Sequence, residues 1–131
     1  MRLLLSLLAV SVLTVSSAAA REPAPVVRNV SFILNNPKRY EGKRITVRAF
    51  YGGWSYMRCA KSDDGKRGRL LASDTILYQG NRCIYMKGSP VPGYAPWRTE
   101  SLGKRVAVEA VVTLDCDGKP FLDVREIIGK E

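Results

Sequence analysis

From Ile45 onward, apolar side chains take every second position: Ile45, Val47, Ala49 and Tyr51 alternate with Thr46, Arg48 and Phe50. A period of two belongs to a strand with one face on a core, because successive Cβ atoms of an extended chain point to opposite sides. The run Gly42-Lys43-Arg44-Ile45-Thr46-Val47-Arg48-Ala49-Phe50 is echoed by Gly103-Lys104-Arg105-Val106-Ala107-Val108-Glu109-Ala110-Val111. In each copy Gly ends the preceding structure, a basic pair stays in water, and the alternating residues suit a half-buried pleat. Gly52-Gly53 then permits a bend or bulge at the end of the first strand. Phe50 beside Tyr51 predicts burial on both faces there.

Three more strands follow from the same reasoning. Thr75 to Tyr78 and Cys83 to Met86 are apolar runs joined by Gln79-Gly80-Asn81, in which Gly80 takes the positive φ of a tight hairpin. Arg105 to about Leu114 is the fourth strand. Asp117-Gly118 reverses the chain, and Lys119-Pro120 leads into Phe121-Leu122-Asp123-Val124, which opens the fifth. Residues 54 to 69 lose all periodicity and read as a long loop, with Asp63-Asp64-Gly65 a turn. Gly88 to Trp97 holds three prolines and two glycines, which disfavours a helix and leaves Thr99 to Leu102 as a short turn. Near the start, Asn29 or Ser31 caps one or two helical turns through Phe32, Ile33 and Leu34, which Pro37 ends; with Tyr40 these plug one end of a barrel.

Strand, loop, hairpin, connector, hairpin is the order of an all-β, five-stranded OB-fold-like Greek-key barrel with a short N-terminal helical turn. In that fold the first and fourth strands pair, so the repeated phrase falls on neighbours. A seven-stranded immunoglobulin-like sandwich fits less well: the strands are too few, and Trp54 precedes Cys59 instead of standing between two cysteines.

The N-terminus carries a different signal. Arg2, the apolar stretch Leu3 to Val15 and Ala18-Ala19-Ala20 have the order of a secretory signal peptide, too short and too serine-rich for a spanning helix. Residues 1–20 are therefore expected to be cleaved, residues 21–28 to form an extended, flexible, proline-bearing leader, and residues 29–131 to form one domain. The protein is expected to be exported, periplasmic or extracellular, with no span left after cleavage.

Export changes what the three cysteines mean, since an oxidising compartment permits disulfides. Cys59 and Cys83 form the expected pair, which leaves Cys116 at a hairpin tip, free or bonded to another chain. The chain's net charge is +9, and Arg2 is the only charge cleavage removes. Such an excess favours acidic partners or simply keeps the surface soluble.

The set Asn36-Pro37, Tyr40-Glu41-Gly42-Lys43, Gly53-Trp54, Cys59, Ser73-Asp74 and Cys83-Ile84-Tyr85 resembles exported, mostly uncharacterised OB-fold domains related to the anticodon-binding-like nucleic-acid fold. The resemblance spans roughly Val30 to Ile127. Thr75 stands where those domains often carry an aromatic residue, and Arg82 where they often carry Gly before the third-strand Cys. The resemblance implies a fold more than a function, because OB-folds take nucleic acids, sugars and proteins alike.

Chemistry narrows the function. With no His in the chain, imidazole catalysis and imidazole metal ligation are excluded. The cysteine spacing lacks the close pairs of a zinc site, and Asp115-Cys116-Asp117-Gly118 places Gly wrongly for a calcium loop and reads as a turn, so no metal or cofactor is expected. Ser101-Leu102-Gly103-Lys104 matches Ser-x-x-Lys without its companion motifs and serves as a strand lead-in. What remains is a binding face over strands two and three and their flanking loops. Its candidate ligand-binding residues are Trp54, Tyr56, Arg58, Arg69, Tyr78, Arg82, Tyr85 and Lys87, where cations attract a polyanion and rings accept stacked groups. The expectation is a non-enzymatic module for an anionic polymer, single-stranded nucleic acid or acidic glycan, or for a protein partner. A subunit of an envelope assembly and a metal-dependent phosphodiesterase using Asp74, Arg48 and Arg69 are the alternatives.

Overall fold

The computed structural model describes residues 23–54 and 74–131. Its elements are β1 (Val26–Val27), α1 (Val30–Asn35), α2 (Pro37–Tyr40), β2 (Arg44–Gly53), β3 (Thr75–Gln79), β4 (Arg82–Met86), β5 (Arg105–Leu114) and β6 (Pro120–Lys130), with a 3-10 turn at Thr99–Ser101. β2, β3, β4, β6 and β5 pair in that order, and β5 returns to β2, so five strands close a barrel. All contacts in the ring are antiparallel except β4 with β6, where Tyr85 faces Phe121 and Met86 faces Leu122. This is the expected all-β OB-like barrel.

Alternation decides what fills it. Ile45, Val47, Ala49 and Tyr51 of β2 and Val106, Val108, Ala110 and Val112 of β5 point inward and are almost wholly buried, together with Leu77, Ile84, Met86 and Leu122. Each Val, Ile, Leu or Met among them contributes roughly 1.5–3 kcal/mol by leaving water, and a one-residue slip of β2 would expose a whole row at once. Register is thereby pinned.

The repeated phrase has a structural meaning beyond two similar strands. β2 and β5 lie antiparallel, with Arg44 opposite Val111 and Phe50 opposite Arg105. At one end the Gly42 N–H donates to the Val112 carbonyl at 2.8 Å and the Val112 N–H to the Lys43 carbonyl at 3.1 Å. At the other end the Gly103 N–H donates to the Tyr51 carbonyl at 2.8 Å and the Tyr51 N–H to the Lys104 carbonyl at 2.9 Å. Each Gly-Lys lead-in thus ties off the far end of the other copy's strand. Gly42 and Gly103 both hold positive φ, 72° and 80°, where a Cβ would be strained.

Gly52 is the extra residue of a bulge: Tyr51 pairs with Leu77 and Gly53 with Ile76. The bulge turns β2 from β5 toward β3, as the Gly-Gly pair predicts. The β3–β4 hairpin has a two-residue loop, Gly80-Asn81, with Gly80 at φ 59°. Its open end is clamped by the Asp74 carboxylate, which accepts from the Gly88 N–H at 2.8 Å, and by the Thr75 hydroxyl, which donates to the Gly88 carbonyl at 2.8 Å.

α1 plugs one end of the barrel. The Asn29 side chain accepts from the Ser31 N–H at 2.9 Å, an N-cap, and Val30 and Ile33 are fully buried in the core, while Phe32 faces solvent. Val91 and Tyr94 of the connector after β4 join the core beside Tyr51 of β2, whose hydroxyl donates to the Tyr94 carbonyl at 3.0 Å. That connector contains only the 3-10 turn among its regular elements, as its prolines predict.

The structure describes the 21–28 segment, expected as an extended, flexible leader, from Pro23 onward. It is extended, but Val26 and Val27 pair parallel with Thr46 and Val47, the Pro25 carbonyl accepts from the Thr46 N–H at 2.8 Å, and Ala24 is buried. β2 is longer than β3, so part of its edge is left open, and the leader pairs with it. Residues 1–20 lie outside the described residues, among which no helix is long and apolar enough to cross a membrane.

Candidate functional site

The outer face of β2 and β5 divides into two halves. At the end near the start of β2, the Arg44 guanidinium meets the buried Glu109 carboxylate at 3.3 Å, and Thr46 beside it is buried. At the other end, Arg48 and Phe50 of β2 lie across from Ala107 and Arg105 of β5. There a groove of about 560 Å³ opens, lined among others by Arg28, Arg48, Phe50, Arg105, Ala107 and Gly129.

Its floor is low because the paired residues Ala107 and Gly129 are small. A Cβ at Gly129 would meet nothing within 4 Å. Ile128, half exposed, forms an apolar part of the wall. Among the described residues no hydrogen bond or salt bridge engages the guanidinium of Arg28, Arg48 or Arg105. Arg105 lies over the Phe50 ring, 5.5 Å from its centroid, and Tyr78 packs against the same ring at 5.7 Å. Among the described residues Glu131 supplies the one carboxylate side chain of the lining, and the Lys130 ammonium is turned to the Pro92 carbonyl at 2.6 Å and the Tyr94 ring.

Arg28 reaches this groove because the leader is held. The Gln79 carboxamide accepts from the Val30 N–H at 2.7 Å and donates to the Arg28 carbonyl, fixing the chain between β1 and α1 against the end of β3. A residue distant in sequence thereby joins Arg48 and Arg105.

The sequence-predicted site is scattered. Tyr56, Arg58 and Arg69 lie outside the described residues. On the outer face of β3 and β4, Tyr85 is only 6% exposed and packs with Ile76, Cys83 and Phe121, so it presents no open ring. Tyr78, half-buried, joins this cluster and also supports Phe50. Arg82 falls on the opposite side of the alternation from Tyr85, and its guanidinium donates to the Asn35 side chain at 3.0 Å beside the helical plug. Lys87 is exposed. Trp54 stands apart, its ring 5.4 Å from that of the more exposed Trp97. Cys116 is free and exposed; Cys59 lies outside the described residues, so its pairing with the buried Cys83 is not described.

Asp74, nominated for metal chemistry, is 1% exposed and takes the Gly88 N–H already described. The Asp115 carboxylate accepts from the N–H groups of Asp117 and Lys119, both at 2.9 Å, which makes that segment a hairpin turn.

Sequence reasoning passed over Phe50 and Arg105 as candidate binding residues and named Arg48 only for catalysis. The signal was present: pairing the two repeated strands antiparallel puts the outward residues Arg48, Phe50 and Arg105 together. Arg28 had none, since its place depends on β1.

No protein-family model matches the chain, and no curated protein matches it. Among solved structures it is similar to one assigned to an aspartyl-tRNA synthetase from Leishmania major Friedlin, with 17% identity and a TM-score of 0.46. That likeness covers 89% of this chain and 23% of the other, so this chain spans less than a quarter of its length. The OB-like class rests on the barrel's own strand order and closure.

Proposed function

We propose that the protein is an exported, non-catalytic OB-fold-like module that binds an anionic polymer. The observation that carries this reading is the groove on the barrel's outer face whose arginines have no ion-pair partner among the described residues. Arginine presents its N–H donors in a planar fork that matches carboxylate, sulfate and phosphate groups, and such groups repeat along an acidic polymer. The surplus of positive charge adds a long-range attraction to the same ligands.

Titrating the protein with a fluorescent polyanion at rising salt tests it. Three arginine contacts predict a loss of at least about tenfold in affinity between 50 and 200 mM salt, because each neutralised anionic group releases counterions. A flat response would assign the binding to an apolar protein interface, the envelope-subunit reading, for which the exposed Cys116 offers a covalent attachment point.

Export and the Cys59–Cys83 bridge belong to the same proposal. Intact mass of the secreted protein, with and without reductant, is expected to show a chain beginning at Arg21, one bridge and a single thiol open to alkylation. A chain retaining residues 1–20, or three alkylated thiols without reductant, removes that part.

A further inference from the structure

We propose that the β2–β5–β6 groove, rather than the outer face of β3 and β4, is the ligand site, and that its ligand is an acidic polysaccharide bearing carboxylate or sulfate groups. This deepens the polymer-binding reading and rests on it.

Three observations select the ligand. First, three cations of the groove are arginines without carboxylate partners among the described residues, on two of its sides: Arg28 from the leader, Arg48 and Arg105 from the sheet. Charged forks placed this way grip anions that recur along a chain. Secondly, the floor between them offers shape without hydrogen bonds: Ala107 and Gly129 have no polar side-chain atoms, and the Gln79 carboxamide at the rim is spent on the backbone of Arg28 and Val30. An aliphatic floor accepts the C–H face of a pyranose ring but cannot read the edge of a base.

Thirdly, the groove's one ring among the described residues is already engaged. Single-stranded nucleic acid gains about 1–3 kcal/mol for each base stacked on an open aromatic face. Phe50 carries Arg105 at 5.5 Å and Tyr78 at 5.7 Å, and Tyr85 is buried. A guanidinium lying over a ring keeps its N–H donors in its own plane, so Arg105 remains available to an anion while it denies the ring to a base. The volume, about 560 Å³, is that of a site for a short stretch of polymer.

The test compares five proteins against polygalacturonate fragments, heparin fragments and a thymidine oligonucleotide at one low salt concentration. The proteins are the native chain, Arg48→Gln/Arg105→Gln, Gly129→Leu, Ala107→Leu and Lys87→Gln, each checked for an unchanged melting temperature. Gly129→Leu fills the floor without altering charge, and the space around Gly129 leaves the fold room for it. Ala107→Leu fills the same floor from the paired position, so the two fillers must agree.

Binding to at least one glycan is expected to weaken tenfold or more in the arginine double variant and in both fillers, and to change less than twofold in Lys87→Gln. If the fillers and the double variant bind as the native chain does while Lys87→Gln weakens, the site is on the β3–β4 side and this inference falls while the polymer reading stands. An oligonucleotide bound tenfold tighter than either glycan overturns the ligand class. No binding to any of the three overturns the polymer reading itself.

Discussion

Gly53→Ala is expected to cost this domain roughly 3 kcal/mol or more, a large share of the 5–15 kcal/mol that holds a typical domain folded. Two effects add. Gly53 sits at φ 61°, where a residue with a Cβ is strained by about 1–2 kcal/mol. The Cβ would also stand 2.5 Å from the Pro96 carbonyl oxygen and 2.8 Å from Leu102 Cδ2. The first of those atoms is backbone, held by the Trp54 N–H, and it cannot step aside without moving the connector. Gly80→Ala separates the two effects: Gly80 has nearly the same φ, 59°, but nothing within 4 Å of a Cβ. It should therefore show the strain alone. Urea midpoints measure both, and a Gly53→Ala protein no less stable than Gly80→Ala would disprove the close approach of strand and connector.

The second large effect is alkaline. Burial pushes the Tyr51 hydroxyl up to about 12 from an ordinary 10.0, because the phenolate would lose its water in the core. In the unfolded chain Tyr51 ionises near 10, so the folded state holds its proton more tightly. The linked stability is complete below pH 10 and drains away as pH rises toward 12, by up to roughly 2–3 kcal/mol. Tyr51→Phe has no proton to lose. At neutral pH it should be less stable by about 1–2 kcal/mol, since the Tyr94 carbonyl loses its donor. Above about pH 11 the order should reverse. Urea unfolding of both proteins from pH 8 to 12 measures the crossing, and parallel curves would show that Tyr51 is not the group responsible.

These two positions also bear on the groove. Gly53 and Tyr51 end β2 where it leaves β5, and Phe50 is the next residue along. Loosening that end would free the ring that supports Arg105, so a weakened fold there should also blur the site.

Most of the barrel was legible because alternation is a local property. Ile45 to Tyr51 and Val106 to Val112 show their inward faces by spacing alone, Gly52-Gly53 marks its own bulge, and Gly80 and Gly118 mark their own turns. Asn29 announced the helical cap. The proposed binding face was legible only in composition. Assigning it to β3 and β4 rested on where such barrels usually bind, and spacing does not say which outward face remains open. Tyr85 and Arg82 are adjacent enough in sequence to seem partners, yet the alternation sends them to different sides, one into an outer cluster and one to Asn35.

Strand content, the alternation within each copy of the repeated phrase and the basic character of the chain were thus determined by the sequence itself, because each depends on neighbours within a few residues or on total charge. Only the tertiary structure decided where a ligand has room. Closure of the barrel set Arg48 and Phe50 across from Ala107 and Arg105, the leader's pairing with β2 brought in Arg28, and the absence of a side chain at Gly129 left the space between them. A groove is made by residues far apart in the chain and by what is missing above them, and neither is a local property.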